Sequence, residues 1–140
     1  MTELPLTGGC LCGGVRCEIL EPLETMTYCH CTRCQRRTGT AASAQARIPP
    51  GALRFTQGEE LVLGWRPPDH GFEKCFCSTC GGQLFSRSPD GTVWSVRMGA
   101  LDRDPGLTPA HRQFVVYAAT WEPIPDDGVP RYAEAAPRSG

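Results

Sequence analysis

Eight of the nine cysteines fall in three tight groups: Cys10-Leu11-Cys12, Cys29-His30-Cys31-Thr32-Arg33-Cys34 and Cys75-Phe76-Cys77-Ser78-Thr79-Cys80. Core packing gives no reason to crowd thiols in this way. A soft metal ion does, because it draws thiolates in pairs from tight turns. Disulfides fit the pattern poorly. Nine is an odd number, a Cys-x-Cys pair makes a poor internal disulfide, and a chain of 140 residues can build its own core without staples. The start of the chain, Met1-Thr2-Glu3-Leu4-Pro5, shows no basic segment leading into an apolar one. The expectation is therefore a cytoplasmic protein whose thiols stay reduced.

Two of the groups share the spacing Cys-x-Cys-x-x-Cys, and spacing alone permits two three-ligand sites. A second arrangement is one closed four-ligand site and one open site. The Cys10/Cys12 pair needs two partners to complete a tetrahedron, and Cys77-x-x-Cys80-Gly81-Gly82 has the form of a zinc knuckle. That leaves Cys29, Cys31 and Cys34 with three ligands and one vacancy. Structural zinc is closed and catalytic zinc keeps a position open, so the sequence suggests one of each. Arg33, Arg36 and Arg37 surround the open group. A guanidinium there can pair with a thiolate centre or with an anionic substrate, or can simply belong to a solvated helical face.

The elements that must position these groups read as mostly β. Gly (16) and Pro (13) are abundant, which favours short strands and many turns. Residues 7–14 read as a glycine-flanked turn, followed by an alternating strand at Val15–Ile19 with Cys17 on its apolar face. A short helical turn should start at the Cys29 group and stop near Gly39. Strands are expected over Ala41–Ile48, Leu53–Phe55, Leu61–Trp65 and Phe72–Phe76. A hairpin follows, Gln83–Ser86 and Val93–Val96 around Ser88-Pro89-Asp90-Gly91, and a last strand at Phe114–Tyr117. From Pro123 the chain should run extended over the surface. We expect one zinc-binding domain over 1–132, two-layered or a partly closed barrel, with a tail over 133–140. The 40% hydrophobic and 21% charged composition is ordinary for a globular protein. No apolar run is long enough for a membrane span, and a net charge of −1 gives no footprint for nucleic acid.

Several motifs occur in a fixed order: Gly8-Gly9-Cys10-x-Cys12-Gly13, Cys29-His30-Cys31-x-x-Cys34-Gln35-Arg36, Phe76-Cys77-x-x-Cys80-Gly81, Gly99-x-Leu101-Asp102, Pro109-x-His111, Trp121 and Asp127-Gly128-x-Pro130-Arg131-Tyr132. Together they resemble the glutathione-dependent formaldehyde-activating enzyme family, which includes centromere-protein-V-like proteins. The resemblance spans about residues 7–132. It implies the all-β Mss4-like fold, with one zinc on Cys10, Cys12, Cys77 and Cys80 and a second on Cys29, Cys31 and Cys34. It also implies carbon–sulfur lyase chemistry, the reversible joining of glutathione to formaldehyde as S-hydroxymethylglutathione. Cys75 departs from the family's ligand pattern.

On these readings Cys29, Cys31 and Cys34 hold the reactive zinc, and Arg36 takes a carboxylate of the thiol substrate. Cys75 should lie on the face shared with Cys77, as a buried or nearby free thiol in preference to a competing ligand. His30 should point away from the metal toward a hydrogen bond or solvent, and His70 should face solvent. His111 reads first as a strand-entry residue and second as a group near the open zinc. Trp121 reads as core packing and Asp127 as a turn cap. The alternative to an enzyme is a zinc-stabilised binding module without catalysis.

Overall fold

In the computed structural model, residues 3–69 and 71–137 are described, and His70 lies outside them. In chain order the elements are β1 (Leu6–Gly9), β2 (Arg16–Ile19), β3 (Met26–Cys29), α1 (Thr32–Thr38), β4 (Ser43–Arg47), β5 (Leu53–Gln57), β6 (Val62–Trp65), β7 (Glu73–Cys77), β8 (Gln83–Arg87), β9 (Val93–Arg97) and β10 (His111–Gln113). They make two sheets. The smaller has the order β1-β2-β5, and the larger β10-β3-β4-β9-β8-β7-β6. The larger sheet is open, with β10 and β6 at its edges, so the two-layer expectation holds and no barrel forms. All neighbours run antiparallel except β10, which lies parallel to β3 with His111 beside Thr27 and Gln113 beside Cys29.

Register explains what each face of the larger sheet does. Residues directly opposite on paired strands point to the same face. Ala46 sits opposite Val96, Val96 opposite Phe85, and Phe85 opposite Cys75. All four are buried and belong to the core shared with Leu6 and Ile19 of the smaller sheet. Phe55 of β5 meets Phe85 edge-on, with ring centroids 5.8 Å apart. Burying a side chain such as Phe85 contributes roughly 2–3 kcal/mol. The other face is polar. Cys29 is opposite Ser43, Gln45 opposite Arg97, Ser95 opposite Ser86, and Ser86 opposite Lys74. A sheet with serines, a glutamine and cations on one face is built to carry a polar site there.

Most of the expected elements are present. The helix ends at Gly39, whose φ of 70° supplies the left-handed cap and whose N–H reaches the Gln35 carbonyl at 2.8 Å. The β8–β9 hairpin closes through the Gly91 N–H on the Ser88 carbonyl at 2.9 Å, and Asp90 accepts from the Thr92 N–H at 2.9 Å. Three expectations change. Residues 7–9 are strand, and the turn begins only at Cys10. Gly8 is where the strand bridges to Leu101, and a Cβ there would sit 2.5 Å from the Ala100 carbonyl oxygen. Phe114–Tyr117 is not a strand. Phe114 adopts a left-handed φ of 56°, residues Val115–Tyr117 form one 3-10 turn, and Val116 and Tyr117 face solvent. The strand lies just before, on the polar residues His111–Gln113. Trp121 is 68% exposed and packs in no core. Beyond it the chain runs largely exposed, as expected, and hydrogen-bonds back to β10 through Pro130 and Tyr132.

Candidate metal centres

The four thiols of the first group come from two turns far apart in sequence. Cys10 and Cys12 lie just after β1, and Cys77 and Cys80 lie where β7 turns into β8. Their sulfurs all fall within 4.8 Å of one another. Cys10 and Cys12 are 3.6 Å apart, and Cys12 and Cys77 3.9 Å. A tetrahedron with Zn–S bonds of ~2.3 Å has sulfur–sulfur edges of about 3.8 Å, so the spacing fits zinc. Backbone N–H groups point at the sulfurs: Val15 at Cys10 (3.2 Å), Gly14 at Cys12 (3.4 Å), Thr79 at Cys77 (3.4 Å), Gly82 and Cys12 at Cys80 (3.4 Å each). Such donors favour the thiolate form. Burial opposes ionisation of Cys10, but the Val15 N–H and the neighbouring thiols outweigh it and bring the group down to about 6.

The second group is local. Cys29 ends β3, Cys31 caps the helix and Cys34 sits in its first turn. The Cys31 sulfur accepts the Cys34 N–H at 3.4 Å, the place a serine or aspartate oxygen usually takes. These three sulfurs also lie within 4.8 Å of one another. Cys29, hydrogen-bonded to Cys34, brings the Cys34 thiol down to about 4, and the same bond together with burial pushes Cys29 above its usual range. One proton-poor sulfur among three is a donor set suited to a soft cation. Cys31 and Cys34 open onto a cavity of about 500 Å³, lined also by Arg36, Arg37, Trp65, Lys74 and Gln83.

The candidate side chains divide clearly. Arg33 is ion-paired with Asp69. Arg36 lines the cavity and has no ion pair among the described residues. Arg37 makes the contact with the thiols, 3.8 Å from the Cys34 sulfur and 3.5 Å from the Gln83 side-chain oxygen. His30 is buried with its Nε2 3.2 Å from the Arg112 guanidinium, away from the metal groups. Burial and the Arg112 charge lower its pKa. His111 begins β10 and stacks edge-on to Tyr132, outside the cavity at Cys31 and Cys34. Cys17 and Cys75 are buried and free, and neither joins a metal group. Burial pushes Cys75 up to about 11. Asp127 caps its turn by accepting the Val129 N–H at 3.0 Å.

Sequence reasoning missed Lys74 and Arg97. Both are cations on the polar face of the larger sheet. It also missed the work of Gln35, whose side-chain amide donates to the carbonyls of His30 (2.8 Å) and Tyr117 (2.9 Å) and so ties the helix to both flanking segments.

The sequence model of the family described as "Glutathione-dependent formaldehyde-activating enzyme" matches residues 5–117. The chain belongs to that family. A crystal structure of a Rhodobacter sphaeroides protein is similar to it, with a TM-score of 0.55 and 25% identity, covering 90% of this chain and 98% of that one. Membership in the glutathione-dependent formaldehyde-activating enzyme family agrees with the mostly β, Mss4-like architecture and with two cysteine groups able to hold zinc. It supports a glutathione-linked role of the formaldehyde-activating or lyase type. Among the described residues no helix is long and apolar enough to cross a membrane.

Proposed function

We propose that the protein is a carbon–sulfur lyase acting on the thiol adduct of a small aldehyde, S-hydroxymethylglutathione or a close relative. The observation that carries this reading is the three-cysteine group opening onto the cavity lined by basic side chains. In this reading Cys10, Cys12, Cys77 and Cys80 hold a structural zinc, and Cys29, Cys31 and Cys34 hold a second zinc. Bound there, the ion would supply Lewis acidity that keeps a substrate thiol deprotonated at neutral pH. Arg37 neutralises charge beside Cys34. Arg36 takes a carboxylate of the substrate as a forked donor. Trp65 and Phe76 give the cavity an apolar wall that holds the substrate's stem. In the joining direction a sulfur–carbon bond forms as the carbonyl π bond opens. The proton lost from the thiol ends on the new hydroxyl, and no oxidant or reductant is required.

Calorimetric titration of zinc-loaded protein with glutathione tests this, beside a Cys31→Ser control. The expected result is saturable binding by the native protein and none by the control, with adduct formation seen by NMR when formaldehyde is added. Absence of heat at millimolar glutathione, or equal binding by the control, rejects the thiol site and favours the binding-module reading.

A further inference from the structure

The polar sheet face beneath the open cysteine group carries more positive charge than that group can neutralise. Three cations without an ion pair among the described residues line its cavity, Arg36 and Arg37 of α1 and Lys74 of β7. Arg37 comes from α1 and touches Cys34. Lys74 comes from β7 and lines the same cavity as Cys34 and Arg37. Arg97 of β9, 7% exposed, stands on the same sheet face and donates to the Ser86 hydroxyl at 2.7 Å, but it lines the adjoining cavity with Gln83 and Asp102. Ser86 lies directly opposite Lys74, so the Arg97 and Lys74 side chains share one neighbourhood. Among the described residues no Asp or Glu lines the cavity at Cys31 and Cys34. Elsewhere this chain pairs its arginines freely, Arg87 and Arg66 with Glu73, Arg54 with Glu18, Arg16 with Asp102. A cavity lined by unpaired cations and by no carboxylate is suited to an anion.

Charge counting says how much anion. Three thiolates on a divalent ion carry −1, and a fourth thiolate makes −2. Against three cations one positive charge remains. We propose that Lys74, with Arg36 and Arg37 in the same cavity, makes a specificity pocket that selects thiols bearing a carboxylate, so that the carboxylate enters the cavity along with the thiolate. This rests on the reading of the three-cysteine group as a thiol site. It assigns to Lys74 a role that the arginines of the helix alone do not cover.

The test uses zinc-loaded protein and three thiols of similar size and different charge: 3-mercaptopropionate, 2-mercaptoethanol and cysteamine. Calorimetry should give 3-mercaptopropionate about tenfold or more tighter binding than 2-mercaptoethanol, as one charge-assisted contact provides, with cysteamine the weakest. Lys74→Met should cut the preference for the carboxylate to about threefold or less, with 2-mercaptoethanol binding kept, and Lys74→Arg should restore it. Equal affinity for the three thiols, or a full preference retained in Lys74→Met, overturns the specificity pocket and leaves the thiol site standing. Failure of every thiol to bind overturns both.

Discussion

Replacing one ligand in each metal group separates their structural weights. The four-cysteine group joins segments 65 and more residues apart, Cys12 to Cys77 and Cys12 to Cys80. An ion held there would close a long loop and fasten the β1–β2 turn to the β7–β8 turn. The three-cysteine group lies within residues 29–34 and fastens nothing distant. Structural zinc is worth ~10–16 kcal/mol in small domains, comparable with the ~5–15 kcal/mol stability of a whole domain. Cys77→Ser loses a fully buried ligand, and we expect it to cost upwards of ~5 kcal/mol. At about 3 °C per kcal/mol for a chain of this size, that is a fall in Tm of ~15 °C or outright unfolding. Cys31→Ser is different. A serine oxygen can accept the Cys34 N–H in place of the sulfur and is itself a favoured helix cap. The cost to the fold should stay within ~1 kcal/mol, or about 3 °C, while the second ion is lost. Circular dichroism melts paired with zinc analysis read both quantities. Comparable melting losses in the two variants would refute the assignment of folding energy to the four-cysteine group.

Two further perturbations test other parts of the fold. Glu73 is held below its ordinary carboxylate range first by its hydrogen bond to Arg87, so its stabilisation is present at neutral pH and lost as pH falls below about 4.5; the parent's Tm should drop more steeply than that of Glu73→Gln between about pH 5 and about pH 2, and parallel curves would remove the ion pair from the account. Gly39→Ala places a Cβ at a φ of 70° and should cost ~1–2 kcal/mol, read as a lowered urea midpoint with an unchanged slope.

Much of this architecture was legible because its signals are local. The helix from the Cys29 group to Gly39 follows from a capping position and a glycine stop, and the β8–β9 hairpin from one turn sequence. The grouping of the four distant cysteines followed from tetrahedral completion and from the family resemblance. What escaped depends on partners far away in the chain. Met26–Cys29 is a strand because β4 and β10 flank it, and nothing in its own sequence marks it strongly. Phe114–Tyr117 has strand composition, yet strand propensity yields to context. There β10 pairs on one side with β3 and on the other with the chain around Arg131, and the left-handed Phe114 ends it. Lys74 could have been found from Cys75 and Cys77: if those two share the apolar face, the alternate residues Lys74 and Phe76 must share the other. Arg97 offered no such signal, because its place depends on the register of β9 against β4.

Strand β7 serves both metal groups. Cys77 at its end belongs to the four-cysteine group, while Lys74 and Phe76 form part of the cavity wall beside Cys34. Under the proposed assignment, assembly then has an order. The first ion sets the turn that places β7 and β8, and only afterwards does the second group acquire the wall that defines its ligand. A cell short of zinc accumulates folded chains holding a single ion, in preference to a mixture of fully loaded and empty ones. Supply of the metal thus sets how much of a standing pool is competent, without new synthesis.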